Sequence, residues 1–265
     1  MQQHLSRYLT APDSYRLFIN VQHPDTPAMG TAIVLHGLAG SMDQDFLIAV
    51  RNEFLNQGFI VIAIDARFGF GHGSGPLEKA CFSTFLADLT QVVDWAKEHA
   101  VFPKPFYMCG HSLGGGACVK YALDHPDDIA GIVTLSGIFN GNDLIRSYQT
   151  HKPDFMARWQ SDGVLLRTHP TRPEKSGYIA YSHLADASRY QLDQQANQLT
   201  HPILMICGDR DISSTKEMNM KLFNAVAGRK ELACINGANH TYTNDGNIQE
   251  VTTLLRNWLK QLKLT

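Results

Sequence analysis

Short apolar runs alternate along most of this chain with longer stretches whose apolar residues recur at helical spacing. The runs lie at residues 31–35, 59–65, 106–109, 129–135, 202–207 and 231–235. Because most are apolar throughout, we expect strands that are covered on both faces. Helices are predicted between them, at about 45–56, 84–99, 117–123, 214–227 and 248–262. The alternation predicts an α/β fold with a doubly wound, mostly parallel sheet, preceded by a hairpin of residues 5–9 and 15–21.

The pattern breaks between residues 140 and 199. This segment is richer in polar, aromatic and basic residues, contains three prolines, and has helical character near its end. No apolar run continues the sheet there, and the segment is too short to bury a separate core comfortably. We therefore expect a single domain over residues 1–265, with residues 140–199 as an insertion within it.

Composition narrows the expected partners. The formal net charge of -2 over 265 residues provides no attraction to nucleic acid or to an anionic membrane surface. The chain has no apolar signal-peptide core at its start and no run long enough to span a bilayer. Cys109, Cys118, Cys207 and Cys234 fall in predicted strands or a helix, which indicates reduced thiols and a cytoplasmic protein. No metal-binding spacing occurs, so we expect neither metal nor cofactor; a homodimer stays open.

The strongest chemical signal is Gly110-His111-Ser112-Leu113-Gly114, between an apolar run and a predicted helix. A Gly-x-Ser-x-Gly turn in that setting is a nucleophile elbow, which holds the serine hydroxyl out at the carboxyl end of a strand. The glycines keep side chains from colliding where the helix leaves the strand. A serine in a glycine turn is often only a turn residue, but this setting favours Ser112 as a nucleophile.

Polar residues also follow three other predicted strands. His36-Gly37-Leu38 comes after the run at 31–35, Asp209 and Asp211 follow the run at 202–207, and His240 follows the last run. The carboxyl ends of parallel strands gather at one edge of a sheet, so we expect these groups to lie near the elbow serine. Their chain order is serine, aspartate, histidine, which is the order in α/β-hydrolase triads.

These motifs resemble those of α/β-hydrolases, in the group of serine esterases, lipases and aminopeptidases. The resemblance covers nearly the whole chain outside residues 140–199, and it is nearest to compact esterases with a medium-sized cap, including hydroxycinnamoyl and acyl-ester esterases. It implies the α/β-hydrolase fold, with residues 140–199 as a cap inserted after the strand that follows the elbow. We call these residues the cap segment.

The resemblance also implies a catalytic triad. Ser112 would attack the substrate, and His240 would take the serine proton and later deliver it to the leaving group. An aspartate would orient the imidazole. Asp211 is preferred for that role because the family pattern places the acid three residues after the strand-end glycine. Asp209 is the alternative acid, and it is interpreted instead as a turn or salt-bridge residue.

An oxyanion hole is expected beside the triad. The backbone N–H groups of Leu113, at the start of the elbow helix, and of Leu38, in the loop after the first run, are the expected donors. His36 and His111 flank these motifs and are interpreted as hydrogen-bonding scaffold. A serine at the elbow, rather than an aspartate, argues against a dehalogenase or an epoxide hydrolase.

We therefore expect hydrolysis of small to medium carboxylic esters, as small-molecule substrates, through an acyl-enzyme. A thioesterase, a monoacylglycerol lipase or a peptidase with the same triad stays open, as does a non-catalytic ligand-binding protein on this fold. Substrate choice is expected in the cap segment, where Trp159, Tyr178 and Tyr181 are candidates for lining an acyl or aromatic pocket. Its basic residues either contact an anionic part of the substrate or form a solvated face: Arg158, Arg167, Arg172, Lys175 and Arg189.

Overall fold

The computed structural model describes residues 5–169 and 171–262, and ten strands lie within them. The strands are β1 (Leu5–Thr10), β2 (Arg16–Gln22), β3 (Gly30–Leu35), β4 (Phe59–Asp65), β5 (Phe106–His111), β6 (Ile129–Leu135), β7 (Val164–Arg167), β8 (Gly177–Ala180), β9 (Ile203–Gly208) and β10 (Lys230–Ile235).

Eight α-helices occupy the same described part of the chain. They are α1 (Asp45–Asn56), α2 (Phe82–Lys97), α3 (Leu113–Asp124), α4 (Gly141–His151), α5 (Pro153–Asp162), α6 (Ser182–Ala187), α7 (Lys216–Ala225) and α8 (Asp245–Leu262). None of these described helices is both long and apolar enough to cross a membrane.

Eight strands form the main sheet, in the order β1-β2-β4-β3-β5-β6-β9-β10. The β1–β2 hairpin and the β2–β4 pair are antiparallel, and the remaining neighbours are parallel. Leu35 at the end of β3 pairs with Gly110 of β5, so the loops after these two strands leave the sheet side by side. The predicted mostly parallel, doubly wound sheet of an α/β-hydrolase is confirmed.

Helices cover the sheet on both faces, as the apolar strands require. β3, β4 and β9 are buried along their whole lengths. On one face α1 packs against α8, and Trp258 is among the largest fully buried side chains there. On the other face α2 packs against α3 around a second apolar cluster. This two-sided burial places the polar groups of the sheet at its carboxyl edge, where the loops emerge.

The cap segment is folded between β6 and β9 and does not extend the main sheet. It contains α4, α5, the separate β7–β8 hairpin and α6. The sequence did not predict α4, α5 or the hairpin, although their boundaries are marked. The Asn140 side chain accepts hydrogen bonds from the N–H groups of Asn142 and Asp143 at the start of α4. Pro153 opens α5, and Gly163 ends it in the left-handed conformation.

Candidate active site

Ser112 stands at the sharp turn between β5 and α3, in a strained backbone conformation. Its φ and ψ are 55° and -119°. The turn is held by the Ser112 N–H, which donates to the Leu135 carbonyl at 2.9 Å. The Ser112 carbonyl in turn accepts from the N–H groups of Gly116 at 3.1 Å and Ile138 at 3.0 Å. Strain of this kind persists only where the surroundings determine the backbone, as these three bonds do.

The elbow glycines are required by close backbone approaches. A Cβ atom on Gly110 would lie 2.2 Å from the carbonyl oxygen of Gly114, and a Cβ on Gly114 would lie 2.4 Å from the carbonyl oxygen of His36. Both distances are far inside van der Waals contact. The Gly-x-Ser-x-Gly spacing therefore lets α3 pack against the loop that follows β3.

His240 lies between Ser112 and Asp211. Its Nε2 atom is 2.9 Å from the Ser112 hydroxyl oxygen, and its Nδ1 atom is 2.7 Å from Asp211 Oδ2. Because a carboxylate can only accept, Nδ1 carries the proton and Nε2 is free to accept the serine hydroxyl. The three side chains form a continuous hydrogen-bonded chain across the loops after β5, β9 and β10. We call these three loops and the loop after β3 the sheet-edge loops.

The two aspartates after β9 have different partners. Asp211 is buried, and its second oxygen, Oδ1, accepts from the N–H groups of Ser213 at 2.8 Å and Ser214 at 3.0 Å. Asp209 is exposed and accepts from the N–H of Gly237 at 2.7 Å, which ties the β9 loop to the β10 loop. Asp211 is therefore the aspartate that contacts the imidazole, and Asp209 braces the turn.

Asp211 stays ionised in spite of its burial. Burial by itself raises the pKa of this carboxyl, but His240, the Ser214 N–H and the Ser136 hydroxyl together hold the pKa below its usual range. An ionised acceptor keeps the Nδ1 proton in place and stabilises the imidazolium that forms when His240 takes a second proton.

Leu38 and Leu113, the expected oxyanion-hole residues, line the same cavity as Ser112. Leu113 is the first residue of α3, where helical N–H groups have no partner within the helix. Among the described residues, neither N–H donates a hydrogen bond. The cavity wall that contains Ser112 therefore also contains two residues whose backbone N–H groups have no protein partner among the described residues.

His36 shapes the loop that carries Leu38. Its Nε2 accepts from the N–H of Ala66 at 3.0 Å, so its Nδ1 carries the proton that is donated to the Gly37 carbonyl at 2.7 Å. The ring is fully buried, and burial lowers the pKa of His36 despite the nearby Asp65 carboxylate. A neutral imidazole with two backbone partners is a scaffold element, in line with the sequence interpretation.

Three further residues support the hydrogen-bonded chain of Ser112, His240 and Asp211, and the sequence analysis missed them. The buried Tyr242 hydroxyl donates to the Ile206 carbonyl at 3.0 Å and lies 3.0 Å from the Ser136 hydroxyl, which in turn bonds Asp211. The Ser214 hydroxyl donates to the Gly137 carbonyl at 2.8 Å. Their only sequence signal is position, because each follows a strand end or a predicted site residue by a few positions.

His111 holds the loop of His240. Its Nε2 is 2.8 Å from the His240 carbonyl oxygen and donates to it, while its ring packs 4.8 Å from the His240 ring. Burial, with a smaller contribution from His240, lowers the pKa of His111 to about 3. His111 is therefore neutral at ordinary pH and acts as a donor rather than a proton carrier.

A cavity of about 350 Å³ opens between the sheet-edge loops and the cap segment, with Ser112 and His240 in its wall. The cap segment covers it with apolar and aromatic side chains, among them Leu144, Tyr148, Phe155, Trp159, Leu165 and Ile179. Trp159 thus lies where the sequence predicted, and its indole N–H is satisfied by the Ile179 carbonyl at 3.0 Å.

The two predicted tyrosines do not line this cavity. Side chains alternate between the faces of a strand, and Ile179 of β8 faces the cavity. Its neighbour Tyr178 is therefore on the other face, where it is 46% exposed. Tyr181 packs edge-on against Trp159 at 5.8 Å, behind the cavity wall. The prediction of Tyr178 and Tyr181 as lining residues is corrected, because the hairpin had not been foreseen.

His183 was also missed and belongs to the cavity wall. It is 4% exposed, stacks on Trp159 at 6.4 Å, and its Nδ1 atom has no hydrogen-bond partner among the described residues. Burial lowers the pKa of His183 to about 4, against the opposing charge of Asp186. The cavity wall therefore contains a neutral imidazole.

The charged side chains of the cavity wall are two cations, Lys152 and Arg167. No aspartate or glutamate lines the cavity within residues 5–169 and 171–262. Those same residues contain no group of three or more histidine, cysteine, aspartate or glutamate side chains arranged to hold a metal ion.

Comparison with known proteins gives a family match. The family model described as "Serine aminopeptidase, S33" matches residues 26–247, a span that includes the elbow, both aspartates and His240. Two curated relatives are similar to this chain. A monoacylglycerol lipase of Mycolicibacterium smegmatis is 23% identical over 74% of this chain and 75% of its own length. A lysophosphatidylserine lipase of Danio rerio is 24% identical over 76% of this chain, which spans about half (48%) of that relative.

A solved structure of ferulic acid bound to Est1E from Butyrivibrio proteoclasticus has the same fold. It superposes with a TM-score of 0.79 at 19% identity, over 98% of this chain and 100% of that one. At this identity the likeness concerns the fold alone.

Proposed function

The chain belongs to the serine aminopeptidase S33 family of α/β-hydrolases, and from that premise we propose that it cleaves small to medium carboxylic esters through an acyl-enzyme on Ser112. The observation that carries the proposal is the position of His240, 2.9 Å from the Ser112 hydroxyl and 2.7 Å from Asp211. Leu38 and Leu113, whose backbone N–H groups have no partner among the described residues, line the same cavity as Ser112. A nucleophile, a base, an orienting acid and an oxyanion site are the parts that acyl transfer needs.

In the first half of the reaction the Ser112 oxygen attacks the ester carbonyl carbon while its proton passes to His240 Nε2. The carbonyl oxygen becomes an oxyanion, which the N–H groups of Leu38 and Leu113 stabilise. Each such donor contributes about 100-fold or more to the rate. The tetrahedral intermediate then collapses, the bond to the alcohol oxygen breaks, and the alcohol leaves with the proton from His240.

In the second half a water molecule attacks the acyl group on Ser112. His240 takes a proton from the water, and the same two N–H groups stabilise the second oxyanion. When the intermediate collapses, the Ser112 oxygen regains its proton from His240 and the carboxylic acid is released. Asp211, ionised throughout, stabilises the imidazolium in both halves.

The cavity favours an ester over a peptide with a free amino terminus. An aminopeptidase needs a carboxylate to bind the substrate ammonium, and the described cavity wall contains Lys152 and Arg167 instead of acids. A positive wall repels an ammonium group. The apolar and aromatic side chains that surround Trp159 suit an acyl chain or a ring.

The test is a panel of p-nitrophenyl acyl esters of rising chain length, run on the wild type, on Ser112→Ala and on Ser161→Ala. Ser161 is an exposed serine of the cap segment outside the cavity and serves as the matched control. We expect turnover by the wild type and Ser161→Ala, and a loss of about 10⁴-fold or more in Ser112→Ala. No turnover of any ester, or turnover that survives in Ser112→Ala, would overturn the proposal in favour of a ligand-binding role or another reaction.

A further inference from the structure

Lys152 and Arg167 are distinguished from the other basic residues of the cap segment by their position in the cavity wall. Both side chains are exposed, so they lie where the cavity meets solvent. Neither has a carboxylate within ion-pair distance among the described residues. Two cations that share a cavity wall repel each other, and here no carboxylate offsets their charge.

The other basic residues of the cap segment have partners or lie elsewhere. Arg172 donates to the Phe70 carbonyl at 3.4 Å, and Lys175 donates to the Gly71 carbonyl at 3.1 Å. Arg189 is 3.6 Å from Asp186. Arg172 and Lys175 hold the cap segment to the loop after β4, and Arg189 is paired within the cap segment, which leaves the cavity pair without a comparable structural task.

Both cations share one cavity wall with Ser112 and His240. Lys152 Nζ lies 5.9 Å from the centre of the Phe155 ring, which is part of the same wall. Arg167 and Tyr148 line the same wall. The Tyr148 hydroxyl is 2.9 Å from Ser213, two positions after Asp211.

We propose that the substrate is an ester with a negatively charged group, a carboxylate or a phosphate, which Arg167 and Lys152 bind while Ser112 attacks the ester carbonyl. The apolar wall around Trp159 contacts the part of the substrate between its negatively charged group and its ester carbonyl. The charge pair steers the substrate into the cavity and fixes its orientation. This inference rests on the proposed esterase function and names the substrate class of that site.

The test compares matched esters that differ by one carboxylate group. p-Nitrophenyl butyrate and p-nitrophenyl hydrogen succinate place the charge on the acyl side; phenyl acetate and 3-acetoxybenzoate place it on the alcohol side. For at least one pair we expect the wild type to favour the anionic ester about tenfold or more in kcat/KM at low salt. That preference should fall about fivefold in Arg167→Gln and in Lys152→Gln, and further in the double variant, because one ion pair in water contributes about that factor. It should also weaken in high salt.

Arg158→Gln is the matched control, since it removes a positive charge from the same segment outside the cavity. It should leave the preference for the anionic ester unchanged. An equal loss in Arg158→Gln, or a preference that survives in the double variant, would overturn the inference. Ser112-dependent hydrolysis without any charge preference would overturn the inference alone and leave the esterase function intact.

Binding to Ser112→Ala separates the inference from turnover. Calorimetry with p-nitrophenyl hydrogen succinate and 3-acetoxybenzoate should show tighter binding than with the neutral partner of each ester. The difference should shrink about fivefold when Arg167→Gln is added. Equal binding of the anionic and neutral esters would contradict the inference even if the wild type proved to hydrolyse neither.

Discussion

The sheet-edge loops and the cap segment are held by different kinds of contact. In the loops, Ser112 and Asp211 are fixed by hydrogen bonds to neighbouring backbone groups, and the elbow glycines pack backbone against backbone. The part of the cavity wall that the cap segment forms consists of side chains, such as that of Trp159, which bonds the Ile179 carbonyl, and the segment exposes apolar residues such as Leu166. A site built on backbone geometry tolerates few sequences, whereas a wall built on side chains can vary. On the proposed function, the first determines the reaction and the second selects the substrate.

Among the substitutions that compare the two regions, the largest effect on activity is expected at Asp211, in the loop after β9. Asp211→Asn should lower kcat for the best ester by about 10³–10⁴-fold, because an amide no longer fixes the Nδ1 proton of His240. Asp209→Asn should lower kcat about tenfold or less, since it only loosens the bond to the Gly237 N–H. Steady-state kinetics of both variants measure this, and the reverse ranking would contradict the geometry.

Alanine at matched glycines compares how rigid the two regions are. Gly110→Ala should lower the free energy of unfolding by about 3 kcal/mol, because the new Cβ would lie 2.2 Å from the Gly114 carbonyl oxygen. Gly163→Ala in the cap segment should cost about 1 kcal/mol, since its φ of 71° disfavours alanine but nothing lies within 4 Å. Urea unfolding measures both. Equal losses would show that the close backbone approach at Gly110 costs no more than the positive φ at Gly163.

An effect smaller than that of Gly110→Ala concerns the two buried histidines, one in each region. Burial lowers the folded-state pKa to about 3 for His111 and about 4 for His183, whereas the unfolded chain binds a proton near pH 6.5. Each folded-state pKa is depressed, so the stability that each contributes is present above pH 6.5 and is lost as pH falls toward the folded-state pKa. At pH 5 the protonation of each histidine in the unfolded chain should lower the free energy of unfolding by about 2 kcal/mol relative to neutral pH.

His183→Phe should therefore reduce the loss of unfolding free energy between pH 7 and pH 5 by about 2 kcal/mol, with little change at pH 7, since its Nδ1 has no partner. His111→Phe should likewise reduce the loss of unfolding free energy between pH 7 and pH 5. It should also lower the free energy of unfolding at pH 7 by about 1–2 kcal/mol, because the His240 carbonyl loses its donor. Denaturant unfolding at both pH values measures the pair. A pH slope unchanged by His183→Phe would mean that this imidazole is solvated in the folded protein.

The predictability of the fold follows the same division. The bounds of α1 and of strands β4 and β6 agree with the sequence prediction, because continuous apolar runs and a clear helical period mark buried elements. Helix α4 was missed because its buried face includes the polar residues Asp143 and Ser147. Asp143 is neutralised by Lys221 of α7, at 2.7 Å, a partner that no local pattern can reveal.

The site divides in a similar way. That Ser112 and His240 would lie together followed from the elbow motif and from the gathering of strand ends at one edge. The separate surroundings of Asp209 and Asp211 required the structure, because both follow β9 and both are aspartates. The lining of the cavity could not be predicted, since the faces of Tyr178 and Ile179 depend on a hairpin that was not foreseen.

The most direct test of the account is covalent labelling of the nucleophile. The wild type, Ser112→Ala and Asp211→Asn are incubated with diethyl p-nitrophenyl phosphate, and their intact masses and peptide fragments are measured. The account predicts one diethylphosphoryl group per wild-type chain, on the peptide that contains Ser112, no label in Ser112→Ala, and much slower labelling in Asp211→Asn. A wild type that stays unlabelled, or a label on another residue, would contradict the central claim that the sheet-edge loops activate Ser112.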